Sequence, residues 1–437
     1  MRARPVGLHV PVHGDGRAFA RLARAFGARI LRRDLTELSD LDDLFAPSGP
    51  IAESQRGMAR AFGVDRARFL VGGASAGLKA LVWALPRGTV AVPRDVHRSV
   101  VSAAAAAGHR LRVLPTRFDP RFGIPLGPTA EDVAATLAID GSVRAVVVHH
   151  PTYHGVVGDL DALTAVCRER GVAVLVDSAH GAHFGLHPDL PEPAYRHEVD
   201  AVVMGMHKSG GALTQGALLL LRGDAVAPER LEEGLALFQS SSPSYLLMAS
   251  VELAVADLVE GGPGLWARAV DVGLRARKLA DRVFSPAPGQ NADPTRITVL
   301  EPPGSETPSL VAEYRGGGTA LYVVGPGIGA QASRRLLTHL RGIVPASPDP
   351  LPWDPAGSEP LDPRGALLAQ RAWVAPERAA GRVSAGIVSL SPPCVPLALP
   401  GETWTPRALG TLTRGLSSGR VAQGLGAGGT VPVVAGS

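Results

Sequence analysis

The sequence predicts an α/β fold in which a mostly parallel sheet carries helices on both faces and a smaller C-terminal region follows. Two observations carry this expectation. Between Arg66 and Arg222, short apolar β-like runs alternate with Ala-rich helical patterns, the signature of parallel strands buried on both sides. Beyond about residue 289 the alternation fades into Pro- and Gly-rich sequence, so a second unit built differently is expected. At 437 residues, with a hydrophobic share of 45%, the chain can bury a sizeable core and divide into two or three domains.

Taken in order, residues 1–64 read as an arm, with a short helix around Arg17 to Phe26 and another from Ile51 to Phe62. A large domain follows over 65–260. Seven strands are expected there: Phe69 to Gly72, Thr89 to Val92, Arg110 to Leu114, Arg144 to His149, Val172 to Asp177, Asp200 to Met204 and Ala217 to Arg222. Helices are expected at Ala76 to Ala84, Val96 to Ala107, Glu131 to Ala138 and Leu160 to Arg170. Tyr245 to Leu258 is helical in pattern. After Gly-Gly-Pro-Gly, the helix Leu265 to Val283 and the start of the linker SPAPGQNADP form a connecting segment, 261–288. A small α+β domain spans 289–417, with strands at Arg296 to Leu300 and Leu321 to Val324 and a helix at Ala330 to Leu340. The last segment, 418–437, lacks periodicity and is expected to be disordered.

Composition narrows the function class. The net charge is +4 and the basic residues are scattered, so no nucleic-acid footprint is expected. The N-terminus has no run of signal-peptide length, and no segment approaches the roughly 18 continuous apolar residues of a membrane span. Cys167 and Cys394 form neither a disulfide framework nor a metal-ligand spacing and read as inert buried thiols. A soluble cytoplasmic protein without a membrane or nucleic-acid partner is the expectation.

One stretch carries the chemistry. The chain has three lysines, Lys79, Lys208 and Lys278, against a large majority of arginines. Lys208 sits in a small-residue turn, His-Lys-Ser-Gly-Gly, between two apolar runs. A lysine retained there suits a task that needs an amine able to lose its proton, such as forming a Schiff base. Asp177 ends an apolar run, at the sheet's C-terminal edge. It reads either as a turn aspartate or as the counter-ion of a cofactor's ring nitrogen. His180 and His183 follow, and Asp177, His180 and His183 could together bind a metal, although that arrangement leaves Lys208 without a role. The segment VGGASAGLKAL, Val71 to Leu81, places small residues at a strand-to-helix junction. It reads as a tight turn with a Ser75 cap or as a phosphate site. His97 lies just past a strand, where a flat imidazole could stack on a planar ring.

In this order, the motifs resemble the Orn/Lys/Arg decarboxylase family of pyridoxal-phosphate enzymes. The matching pieces are DLTELSDLDDLFAP (34–47), FLVGGASAGLKA (69–80), PRDVHRSVVSA (93–103), PTYHGVVGDL (151–160), VDSAHGAHFGLHPDLP (176–191), HKSGGALTQGA (207–217), FQSSSPSYLLMAS (238–250), DPTRIT (293–298) and SPPCVPLALPGE (391–402). The resemblance implies fold type I, the aspartate-aminotransferase architecture, with a seven-stranded large domain. It implies that Lys208 holds pyridoxal 5'-phosphate covalently, Asp177 pairs with the ring nitrogen and His97 stacks on the ring. Ala74, Ser75 and Ala76 would bind the phosphate, with His207 assisting. His180 would sit near the ring's phenolic oxygen or the substrate. Ser241 and Ser242 would reach the partner's phosphate across a homodimer interface.

The implied activity is decarboxylation of a small basic amino acid of arginine, lysine or ornithine type. Transamination, oxidation or elimination on the same cofactor, or a non-catalytic relic of the fold, remain alternatives. The chain departs from the family pattern at Val12, Gly14, Ala74, Gly205, Met206, Gly386 and Ser391, so the substrate-facing parts look altered. No acid for a substrate's distal cation is evident; Glu37, Asp40 and Asp42 are candidates, with a solvated loop as their plainer reading.

Overall fold

The apolar runs assemble into a single sheet in a computed structural model that describes residues 9–38, 41–345, 351, 353, 360–391 and 395–437. Its strands are β1 (Arg66–Leu70), β2 (Thr89–Val92), β3 (Arg110–Val113), β4 (Val143–His149), β5 (Ala173–Ser178), β6 (Ala201–Met204) and β7 (Ala217–Leu221). They lie in the order β1-β7-β6-β5-β4-β2-β3. Strand β7 runs antiparallel to both neighbours, and the other pairs are parallel. The sheet is therefore of the mostly parallel type, as the alternation of runs predicted.

Period-two side-chain geometry explains why these runs are apolar on both faces. Along β4, Val146 and Val148 enter one core while Ala145 and Val147 enter the other. One layer contains α1 (Pro50–Phe62), with α4 (Ala130–Ile139), α5 (Leu160–Arg168) and the first half of α7 (Tyr245–Arg277). The opposite layer contains α2 (Gly73–Ala84), α3 (Arg98–Ala107) and α6 (Pro228–Phe238). Gly77 permits α2 to lie against β1, because a Cβ there would fall 2.5 Å from Leu70 Cδ1.

Helix α7 joins two helical stretches, as expected, across a break at Gly262, which is non-helical, with Pro263 following. The Gly-Gly-Pro-Gly break therefore acts as a kink. The helix ends at Arg277 rather than near Val283. Its second half packs on a three-stranded antiparallel sheet, β8 (Arg296–Leu300), β9 (Tyr314–Gly316) and β10 (Thr319–Val323), with α8 (Ala330–Gly342) closing that core.

The final segment corrects the sequence-based expectation. Residues 418–437 are ordered. Strand β14 (Val421–Gln423) pairs with β12 (Val388–Ser391), which also pairs with β13 (Val395–Ala398). The last strand, β15 (Val431–Val434), pairs with β11 (Arg371–Val374). Val431 and Val433 are fully buried; two alternate valines facing one core are a strand signal too short to stand out amid glycine.

Asp42 is a second correction. It is buried, not solvated, and its carboxylate accepts from the backbone N–H groups of Ser48, Gly49, Ile51 and Ala52, which caps α1. Cys167 is buried, with its thiol pushed up to about 12 by burial and then by Asp200. Asp40 and Cys394 lie outside the described residues. Among the described residues, no helix is long and apolar enough to cross a membrane.

Candidate active site

Parallel strands deliver their C-terminal ends to one edge, and ligands in such sheets bind beyond that edge. Here the edge opens into a cavity of about 480 Å³ lined by Gly72, Ser75, His97, Asp177, His180 and Lys208, among others. That volume suits a cofactor-sized ligand.

Lys208 follows β6 in a single π-helical turn, Met206–Gly210, a wide-turn element that often marks functional sites. Its side chain opens to the cavity, yet enough protein surrounds the amine that burial lowers it below its ordinary value. Nearby Asp177 opposes that shift, and Arg296 adds to it. Gly205, one of the departures noted above, has a steric cause: a Cβ there would fall 2.5 Å from the Ala179 carbonyl oxygen.

The Lys208 Nζ lies 3.0 Å from His180 Nε2. On its other side, His180 Nδ1 meets the Arg296 guanidinium. A guanidinium can only donate, so Nδ1 must accept and the ring proton belongs on Nε2. His180 is held well below its ordinary value by burial, then by Arg296 and Lys208, which keeps the ring neutral. Nε2–H thus faces the Lys208 amine, which burial makes easier to deprotonate.

Asp177 is buried, and its Oδ1 accepts from Ala179 N–H at 3.0 Å. His97 caps α3: its Nδ1 accepts from Ser99 N–H at 3.3 Å, leaving the ring on the cavity wall. Burial and then Lys208, His149 and Arg98 lower His97, against the pull of Asp177. Ala74, Ser75 and Ala76 fall in the first turn of α2, whose backbone N–H groups lack helical partners; Ala74 and Ser75 line the cavity. Gly73, at φ +73°, makes the turn into that helix. His207 lines the cavity with Nδ1 3.2 Å from the Gly216 carbonyl.

The structure does not bring every expected residue together. Ser241 and Ser242, expected to reach a partner subunit, lie on an exposed bend and are not among the residues lining this chain's cavity. His183 parts from His180: its Nε2 is 3.0 Å from Asp293 Oδ2 and its ring stacks on Trp266 at 4.2 Å. Asp177, His180 and His183 therefore do not form a ligand cluster, because each faces a different partner.

Several site residues escaped the sequence. His149 ends β4, directly opposite Asp177 in register, and Asp95 stands beside it at the cavity. Arg296, at the start of β8, donates to the Tyr153 carbonyl at 2.7 Å and lies against the Tyr153 ring. Tyr153 in turn donates to Glu313 at 2.8 Å. Gln215, a non-glycine residue at φ +75°, lines the same cavity, and such backbone strain clusters at functional sites. The far wall comes from Ile387, Ser389, Ser391, Pro396 and Gln423.

Known proteins are similar to this chain in sequence and in fold. The family model for the Orn/Lys/Arg decarboxylase major domain matches residues 1–307. The arginine decarboxylase of Bacillus subtilis (strain 168) is 28% identical over 454 residues, covering 96% of this chain and 92% of that protein. The constitutive lysine decarboxylase of Escherichia coli (strain K12) is 27% identical over 287 residues, 60% of this chain and 39% of that one. The crystal structure of the Francisella novicida lysine decarboxylase superposes with a TM-score of 0.81 at 20% identity, covering 99% of this chain and 79% of the other. At that identity the superposition speaks to fold.

Proposed function

The chain belongs to the Orn/Lys/Arg decarboxylase family, whose members are pyridoxal-phosphate-dependent lyases, and from that premise we propose that it decarboxylates a basic amino acid, arginine first among them. The observation that carries the reading is the cavity with Lys208 and Asp177 on its walls and the open N-terminus of α2 at its end. The arginine preference draws on similarity along nearly the whole chain to an enzyme named arginine decarboxylase.

The donor set fits pyridoxal phosphate. Lys208 would meet the aldehyde, buried Asp177 the ring nitrogen, and the N–H groups opening α2 with the Ser75 hydroxyl the phosphate. When bound, the cofactor supplies an electron sink for the charge left on Cα as carbon dioxide departs.

The chain's own residues do the rest. Burial makes the Lys208 amine easier to deprotonate, and His180 Nε2–H faces it. Lys208, with His180 beside it, would be placed to return a proton to Cα. Asp177 would hold the ring nitrogen, and His97 would pack on the ring face. The reading includes a homodimer in which Ser241 and Ser242 serve the partner subunit's phosphate.

The test is direct. Purified protein is incubated with arginine, lysine and ornithine, and carbon dioxide and the matching amine are measured. Keto-acid formation would indicate transamination instead, and oxygen uptake would indicate oxidation. Absence of any turnover in cofactor-loaded protein would sink the proposal.

A further inference from the structure

Strands β5, β4 and β2 are consecutive neighbours in the sheet. The ends of β5 and β4 and the turn after β2 set Asp177, His149 and Asp95 along the cavity floor. His149 Nε2 is 3.7 Å from Asp177 Oδ2, and its Nδ1 is 3.5 Å from Asp95 Oδ2. All three side chains are largely buried, at 7%, 14% and 6% of full exposure. No hydrogen bond from another described residue draws His149 Nδ1 or Asp95 Oδ1 away.

We propose that His149 and Asp95 are positioning residues that set the charge Asp177 presents to the cofactor's ring nitrogen, through a carboxylate–imidazolium–carboxylate row ending at the ring. The inference rests on the pyridoxal-phosphate reading above. His149 stands between the two buried carboxylates, and a cation placed there offsets the cost of burying both charges. The imidazolium supplies it. The row then carries one net negative charge, and its open end is Asp177. A protonated ring nitrogen there brings the row to neutrality.

The groups facing His149 favour its charged form. Burial works against the charge, but Asp95 and then Asp177 outweigh both burial and the opposing Lys208, raising His149 to about 9. His97 and His180 also face it, and both are lowered, so neither competes as a second cation.

Each member has a distinct consequence. Without His149, Asp177 loses the imidazolium that faces it and no longer presents a fixed, balanced carboxylate to the ring nitrogen. Without the Asp95 charge, the imidazolium leans on Asp177 alone and competes with the ring nitrogen. Either change weakens the hold on a protonated ring.

The test uses the full chain, stripped of cofactor and titrated with pyridoxal phosphate, as wild type, His149→Gln and Asp95→Asn. Two readouts are followed: the pyridoxal-phosphate dissociation constant, and the pH at which the bound ring nitrogen loses its proton, from NMR on isotope-labelled cofactor. Each variant is expected to bind about tenfold more weakly and to lower that pH by about one unit. A purely structural role would leave the second readout in place. Asp95→Asn preserves shape, so it decides the question if His149→Gln does not fold. Wild-type affinity and an unmoved midpoint in folded Asp95→Asn would overturn the inference. Wild-type protein that takes up no pyridoxal phosphate would bring down the cofactor reading as well, which distinguishes the two failures.

Discussion

Across one cavity, two walls are built in different ways. The floor presents Asp177 and His149 at the ends of buried parallel strands and Asp95 in the turn after another, each side chain flanked by neighbouring strands. The facing wall presents Ile387, Ser389, Ser391, Pro396 and Gln423 from the short antiparallel strands β12, β13 and β14 and their flanks. A buried strand end cannot move without disturbing two helical layers, so the chemistry is fixed there. Short strands with every second residue half-exposed, as in β12, change at little cost to the core. Reaction type should therefore map to the floor and substrate choice to the wall.

Lys208→Ala should break the floor most severely. Loss of the Schiff-base amine is expected to cut activity by about 10⁴-fold or more and to remove the cofactor's visible absorption band, both read on purified protein. Asp177→Asn keeps the shape but not the charge. A fall of about 10³-fold in kcat/KM is expected, with KM for the amino acid nearly unchanged.

The His183–Asp293 pair supports the floor from behind. Burial raises the Asp293 carboxyl, but His183, then Arg296 and Thr295, outweigh it and hold it at about 2. That depression stabilises the fold above its ordinary value of 3.8, and the contribution is lost as pH falls from there toward about 2. Asp293→Asn should cost about 3–5 kcal/mol of stability and flatten this acid limb, seen as urea midpoints against pH. An unchanged limb would show that the pair is inert.

The smaller effects belong to the other side. Val433→Ala, in the last strand, should cost about 2 kcal/mol by thermal unfolding; no effect would mean that this strand adds nothing to the core. Ser389→Leu should shift the preference among arginine, lysine and ornithine by about tenfold while leaving the cofactor spectrum in place. A changed spectrum with unchanged preference would erase the contrast between floor and wall.

Much of the floor could be read from residue order. The seven apolar runs, the acid ending one of them and the lysine in a small-residue turn were all legible, because burial on both faces writes itself into continuous apolar sequence. His149 was not. As one histidine at a strand end it carries no signal until β4 is set beside β5 and its register with Asp177 is known. Arg296 stands 116 residues from His180, and nothing local pairs them. The tail was misread because glycine masks a four-residue strand whose partner lies far back in the chain.

From residue order alone came the sheet, its helical cover, the amine and the carboxylate it faces, since local periodicity and rare residue usage are properties of single segments. The folded chain alone decided that His149 joins Asp95 to Asp177, that His183 turns away from His180, and that Arg296 assigns the His180 proton. Those are distances between strands and domains, and they exist only once the sheet order has closed the intervening chain.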